Sequence, residues 1–255
     1  MSSRQSLDRL RAQIAALEGH RAGFGSYGRH AVLDFGLPAM DAVLPGGGLH
    51  RAGVHEFLWC HQADWAAAFG CCLALVLRHE QERPLLWCRL AHDDAEYGMP
   101  YAHGLAHLGL DPNRVLLLSL KRPTDILWAM EEGLKCGALG AVVGMVASDL
   151  RTSRRLALAA EAGKTPGFLL HPAHAAMNTA AQTRWRVGAA PGTAQAFKAQ
   201  ACWTLALIRN RHGGLKQWTV EWHHETHSFH LVAALANRTS AAGHVWPNDG
   251  GRRIA

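Results

Sequence analysis

Several features that would announce a function are missing from these 255 residues. No apolar run reaches the ~20 residues that a membrane-spanning helix needs. The six cysteines, Cys60, Cys71, Cys72, Cys88, Cys136 and Cys202, form no C-x-x-C pair. Most lie in apolar segments, where a reduced, buried thiol in a cytosolic protein is the ordinary reading. There is no G-x-S-x-G, and Cys60 and His61 are sequence neighbours rather than a recognisable dyad, so nucleophilic catalysis has little support. No internal repeat occurs. A glycine-rich phosphate loop ending in Lys-Ser/Thr is absent as well, and that absence is the informative one.

What is present is a globular composition: 49% apolar and 18% charged residues, with nine tryptophans spread along the chain. The net charge of +6 permits an acidic partner or nucleic acid without selecting either. Leu7, Leu10, Ile14 and Leu17 recur at helical spacing, so residues 1–20 read as an amphipathic helix that packs on its own domain or docks on another protein. A linker follows at 21–31. Pro45-Gly46-Gly47-Gly48 reads as a turn needing permissive backbone angles. Apolar strands at 54–59, 84–88, 115–120, 139–146 and 167–171 then alternate with helices at 65–79, 100–109, 124–135 and 150–162. Thr124-Asp125 and Ser148-Asp149 are plausible caps for the last two helices. Continuously apolar strands separated by helices predict an α/β fold with a parallel central sheet covered on both faces. After His171 the pattern changes to an antiparallel meander running to about residue 236, followed by a flexible tail at 237–255.

Most other chemical candidates have bland readings. HHETH (223–227) is one residue short of the helical H-E-x-x-H of zinc proteases, and its flanks indicate a hairpin, so no metal is expected. His92-Asp93-Asp94 reads as a solvated loop. Arg184 and Arg186 flank Trp185, and Arg209, Arg211 and Lys216 cluster near a turn; such an arrangement suits single-stranded nucleic acid. Strand alternation favours the opposite view, in which Trp185 is a core residue and the arginines are its solvated neighbours.

The strand–helix joint VHEFLWCHQADWAAAF (54–69) matters most, because many α/β proteins hold a phosphate there. The order of elements, together with FGLPAMDAVLPGGGLHRAGVHEF (35–57), resembles the RecA recombinase core, carried by Leu44, Gly47-Gly48-Leu49 and Glu56. By that resemblance the first loop glycine falls on Trp59, and Gly-Lys-Thr falls on Asp64, Trp65 and Ala66. The metal-side aspartate falls on Met145, and Arg89-Leu90 stands where a water-activating glutamate is kept. Asp64 would repel a phosphate, Trp65 would fill its space, and Ala66 cannot ligate magnesium. The resemblance therefore implies a RecA-like core (32–236) with a lost ATP site, no cofactor and no enzymatic activity.

A group of degenerate RecA-like proteins, the ImuA proteins, fits more closely over residues 5–235. The resemblance rests on PGGGL (45–49), HEFL (55–58), LLWC (85–88), LGLDPNRVLLL (108–118), TRWRV (183–187), LALIRNRHGG (205–214) and WTVEWHHETHSF (218–229). It implies a non-catalytic, cytoplasmic accessory protein of SOS-induced mutagenic translesion DNA synthesis. The implied partner is a catalytically inactive, ImuB-type homologue of Y-family polymerases. RecA, an error-prone replicative-type polymerase and single-stranded DNA are further candidates. Three alternatives stay open: a single-stranded DNA-binding RecA paralogue, an atypical ATPase, and a SulA-like cell-division inhibitor.

Overall fold

A computed structural model describes residues 32–192, 200–210 and 214–232. The amphipathic helix with Leu7, Leu10, Ile14 and Leu17, the linker, Arg211 and the tail lie outside the described residues.

The chain enters through a two-stranded ribbon, β1 (Val32–Leu33) and β2 (Leu49–His50), which flanks a short helix, α1 (Pro38–Asp41). The turn between them needs glycine where expected: Gly46 and Gly47 have φ of 74° and 83°. Asp41 fixes the entry, accepting the Phe35 N–H at 2.8 Å and the Leu37 N–H at 2.9 Å.

A nine-stranded sheet follows. Its chain-order elements are β3 (Val54–Trp59), α2 (Trp65–His79), β4 (Leu85–Leu90), α3 (Asp93–Tyr97), α4 (Ala102–His107) and β5 (Val115–Leu120). Next come α5 (Pro123–Lys135), β6 (Ala141–Gly144), α6 (Leu150–Gly163), β7 (Gly167–Pro172) and β8 (Thr183–Ala189). The antiparallel end comprises β9 (Ala201–Asn210), β10 (Lys216–His223) and β11 (Ser228–Leu231). Across the sheet the strands run β5-β4-β6-β7-β3-β8-β9-β10-β11. Strands β5 to β8 are mutually parallel, and the direction reverses at β8/β9.

Burial explains the sequence pattern. All six residues of β3 are buried, as a central strand covered on both faces requires. Helix α2 is buried from Ala67 through Leu77, so it needs no polar stripe. It packs on one face with Phe57, Trp87, Phe168 and Trp185. Helices α5 and α6 cover the other face through Ile126, Met130, Leu134, Leu156 and Ala160.

Two expectations need correction. Thr124 and Asp125 do not cap α5: Arg122 holds the cap position, Pro123 opens the helix, and Asp125 pairs with Arg122 at 2.8 Å. Asp149, by contrast, does cap α6, accepting the Thr152 N–H at 2.7 Å. Strand β5 is apolar but not covered. It is the sheet's edge, with Leu116 49% and Leu118 38% exposed.

Candidate functional site

The β3–α2 joint is closed by aromatic packing. Trp59 ends β3 with 3% exposure and meets Tyr97 edge-on, ring centroids 6.0 Å apart. Trp65, half-buried at the start of α2, meets the same Tyr97 at 5.2 Å. Between them residues Gln62–Asp64 make a single 3-10 turn, and Gln62 Nε2 donates to Glu96 on α3 at 2.9 Å. Asp64 points inward rather than outward. It is 3% exposed, and its Oδ1 accepts the Ala189 N–H at 2.9 Å, which ties the joint to the end of β8. Ala66 is exposed.

Beside this joint, at the carboxyl ends of β3, β4, β6 and β7, lies a cavity of about 290 Å³. Ligands in open parallel sheets collect at this end of the strands. Its wall includes Trp59, Tyr97, Met145, Leu170 and the polar residues Asp93 and His171. Met145 is 7% exposed and contributes a thioether where the resemblance places a metal ligand. Asp93 corrects the solvated-loop reading: it is 6% exposed and its Oδ2 accepts the Leu90 N–H at 3.0 Å. Burial raises its carboxyl pKa above the ordinary value, more than that N–H and the nearby His92 and Arg89 lower it. Arg89 itself is 1% exposed and donates Nη1 to the Gly98 carbonyl at 3.0 Å.

The candidate nucleic-acid residues do not assemble as a stacking platform. Trp185 is fully buried, its ring near Phe35 at 5.3 Å and Phe57 at 6.4 Å, and its Nε1 donates to Thr183 Oγ1 at 3.0 Å. No base can stack on it. Arg184 is committed to a salt bridge with Glu56, whose side chain has no exposure, and also donates to the Met177 carbonyl at 2.6 Å. Arg186, on the same face, is partly buried. Arg209 sits opposite Arg184 on β9 and donates to Thr179 Oγ1 at 3.3 Å. Lys216 is exposed at the start of β10. Since Thr183, the first residue of β8, pairs with Asn210, Arg209 and Lys216 lie at the opposite end of the sheet from the cavity.

His224 to His227 form the turn of the β10–β11 hairpin. His227 adopts φ of 46° and receives Gln81 Nε2 at 2.8 Å, while His224 packs against the His107 ring at 4.9 Å. These histidines dock the hairpin on α4 and on the loop that follows α2.

Asp93, Tyr97 and His171 were missed as site residues by sequence reasoning. Asp93 and Tyr97 lie on α3, directly after β4, and His171 near the end of β7; the sheet order that brings these two places together has no local signal.

No family model matches the chain. It is similar to protein ImuA of Caulobacter vibrioides from two strains, NA1000 / CB15N and ATCC 19089 / CIP 103742 / CB 15. Each is 29% identical over 244 residues, spanning 88% of this chain and 96% of that protein. Among solved structures it is similar to the crystal structure of the RadB recombinase, with a TM-score of 0.52 and 12% identity. That match covers 79% of this chain and all of the other. Among the described residues, no helix is long and apolar enough to cross a membrane.

Proposed function

Because this chain is a homologue of ImuA built on a RecA-like fold, we propose that it is a non-catalytic accessory protein of SOS-induced mutagenic translesion synthesis in the cytoplasm. It binds an inactive, ImuB-type homologue of Y-family polymerases, with RecA and an error-prone replicative-type polymerase as further members of the assembly. The observation that carries this reading is similarity to ImuA along nearly the whole length of both proteins. The joint supports the non-catalytic part. Trp59, Trp65 and Tyr97 pack together where the RecA-like core would bring phosphates, and the Asp64 carboxylate faces the Ala189 amide.

Recognition runs through protein surfaces, with the apolar face of the N-terminal segment as the element that enters a partner's groove. The test is co-purification with the ImuB-type polymerase homologue. The wild-type chain is expected to retain the polymerase homologue, and Leu10→Asp with Ile14→Asp to lose it while circular dichroism stays unchanged. Retention by the double variant would move the contact elsewhere; no complex with wild type would overturn the reading. The single-stranded DNA alternative has lost its stacking ring, since Trp185 is core.

A further inference from the structure

The cavity at the carboxyl ends of β3, β4, β6 and β7 is set up for positive charge. Among its described wall residues the ionisable side chains are Asp93, Tyr97 and His171; no lysine or arginine belongs to that wall. A phosphate-bearing ligand would meet a carboxylate there and no cation. A cation meets several favourable groups.

Two of these are aromatic. Trp59 and Tyr97 stand at 81° to each other, so the rings form adjoining walls. Ring faces attract ammonium and guanidinium groups through the quadrupole of the π system, most strongly where water is excluded. The third is Asp93. Its Oδ2 accepts the Leu90 N–H, and its Oδ1 lies 3.9 Å from the exposed His92 ring. Arg89 acts on Asp93 from outside the cavity wall, its own Nη1 engaged by Gly98.

His171 supplies the fourth. It is 3% exposed, and its Nδ1 lies 3.0 Å from the Pro172 carbonyl oxygen. A carbonyl only accepts, so Nδ1 carries the hydrogen. Burial lowers the ring's pKa, which keeps it neutral near pH 7 and makes Nε2 an acceptor. That Nε2 is buried and has no hydrogen-bond partner among the described residues. A buried acceptor of this kind is a costly feature in a folded chain and suits a donor ligand.

We propose that this cavity binds an organic cation, an alkyl-guanidinium or alkyl-ammonium group, lodged against the adjoining Trp59 and Tyr97 rings and hydrogen-bonded to Asp93 and His171. The volume is at the small end of the about 300–1,000 Å³ typical of ligand sites, which suits one long basic side chain or a free amine of similar size. The proposal does not depend on the accessory role: a failed polymerase pull-down leaves it standing.

The test is calorimetric titration of the full chain with N-acetyl-arginine amide, agmatine and the uncharged N-acetyl-citrulline amide. Both guanidinium compounds are expected to saturate, with the citrulline compound about tenfold weaker or more. Asp93→Asn keeps an acceptor for the Leu90 N–H while removing the charge, and is expected to weaken both guanidinium compounds about tenfold. Tyr97→Leu should do the same, and if that variant does not fold, Asp93→Asn alone decides. Leu158→Ser, on the exposed side of α6, should change nothing. Tighter agmatine assigns the cavity to a free small cation; tighter blocked arginine assigns it to a side chain of a protein, and either order supports the proposal. Equal affinity for citrulline, or no saturation by any of the three, overturns it.

Discussion

His55 shows how a buried polar residue can be fully used without being catalytic. It has no exposure, and both ring nitrogens are engaged: Nε2 lies 3.0 Å from the His50 carbonyl and Nδ1 2.8 Å from Thr183 Oγ1. The carbonyl accepts from Nε2–H, so Nδ1 is the lone pair that receives the Thr183 hydroxyl hydrogen. That hydroxyl oxygen in turn accepts from the Trp185 indole. Protonating His55 would destroy the acceptor and charge a site without water, and burial accordingly pushes its pKa down to about 4. Between pH 6.5 and about 4 the unfolded chain binds a proton at this position that the folded chain refuses. Stability is therefore present in full above pH 6.5 and lost as pH falls through that window, by on the order of 3 kcal/mol for this one group. His50, His79 and His171, also lowered by burial, act in the same direction. Urea midpoints are expected to drop between pH 7 and pH 5, and His55→Phe should show a shallower slope whatever its absolute stability. An unchanged slope would assign the pH response to the other histidines.

At the scale of elements, the alternation of strands and helices was legible because apolar runs and Gly/Pro punctuation carry local information. The antiparallel meander was legible for the same reason. Position in the sheet was not. VLLLSL in β5 reads like β3, yet β3 lies in the interior and β5 is the edge, since periodicity reports a strand's faces and not its neighbours. Helix α3, only five residues long, was too short to show a period. The candidate nucleotide joint could be located from the sequence, but Tyr97, which packs against both of its tryptophans, could not. Contact between α5 and α6 was equally invisible, and its closest backbone approach is at a glycine. A methyl group at Gly163, the last residue of α6, would lie 2.0 Å from the Leu134 carbonyl oxygen, a backbone atom that cannot swing away. The next residue, Lys164, closes the helix in the left-handed region with φ of 52°, where a side chain is strained. Gly163→Ala is expected to cost about 1–3 kcal/mol by overpacking. Lys164→Gly should be neutral or stabilising by up to about 1 kcal/mol. Thermal or urea denaturation separates the two, and a neutral Gly163→Ala would mean that the helices slide apart freely.

Over the whole molecule, the change of strand direction at β8 suggests two separable parts, a parallel half and an antiparallel half. The core contradicts that division. Phe35, from the entry segment, lies 5.3 Å from Trp185 on β8 and 5.4 Å from Phe229 on β11. Trp203 and Trp222 meet the same Phe229 at 6.4 and 4.9 Å. Polar ties cross the same boundary: Trp222 Nε1 donates to the Leu108 carbonyl at 3.2 Å, and Asn210 Nδ2 to the Val43 carbonyl at 2.9 Å. Removing β9–β11 would bare Trp185, Val187 and Phe35 together, side chains worth about 1.5–3 kcal/mol each when fully buried. That loss rivals the whole net stability of an ordinary domain, about 5–15 kcal/mol. The described core should then unfold as one cooperative unit, with tryptophan fluorescence and far-UV circular dichroism following the same urea curve. A chain stopped after Pro191 should not refold. Two resolved transitions, or a folded truncated chain, would mean that the parallel half stands alone and that the aromatic cluster only decorates its flank.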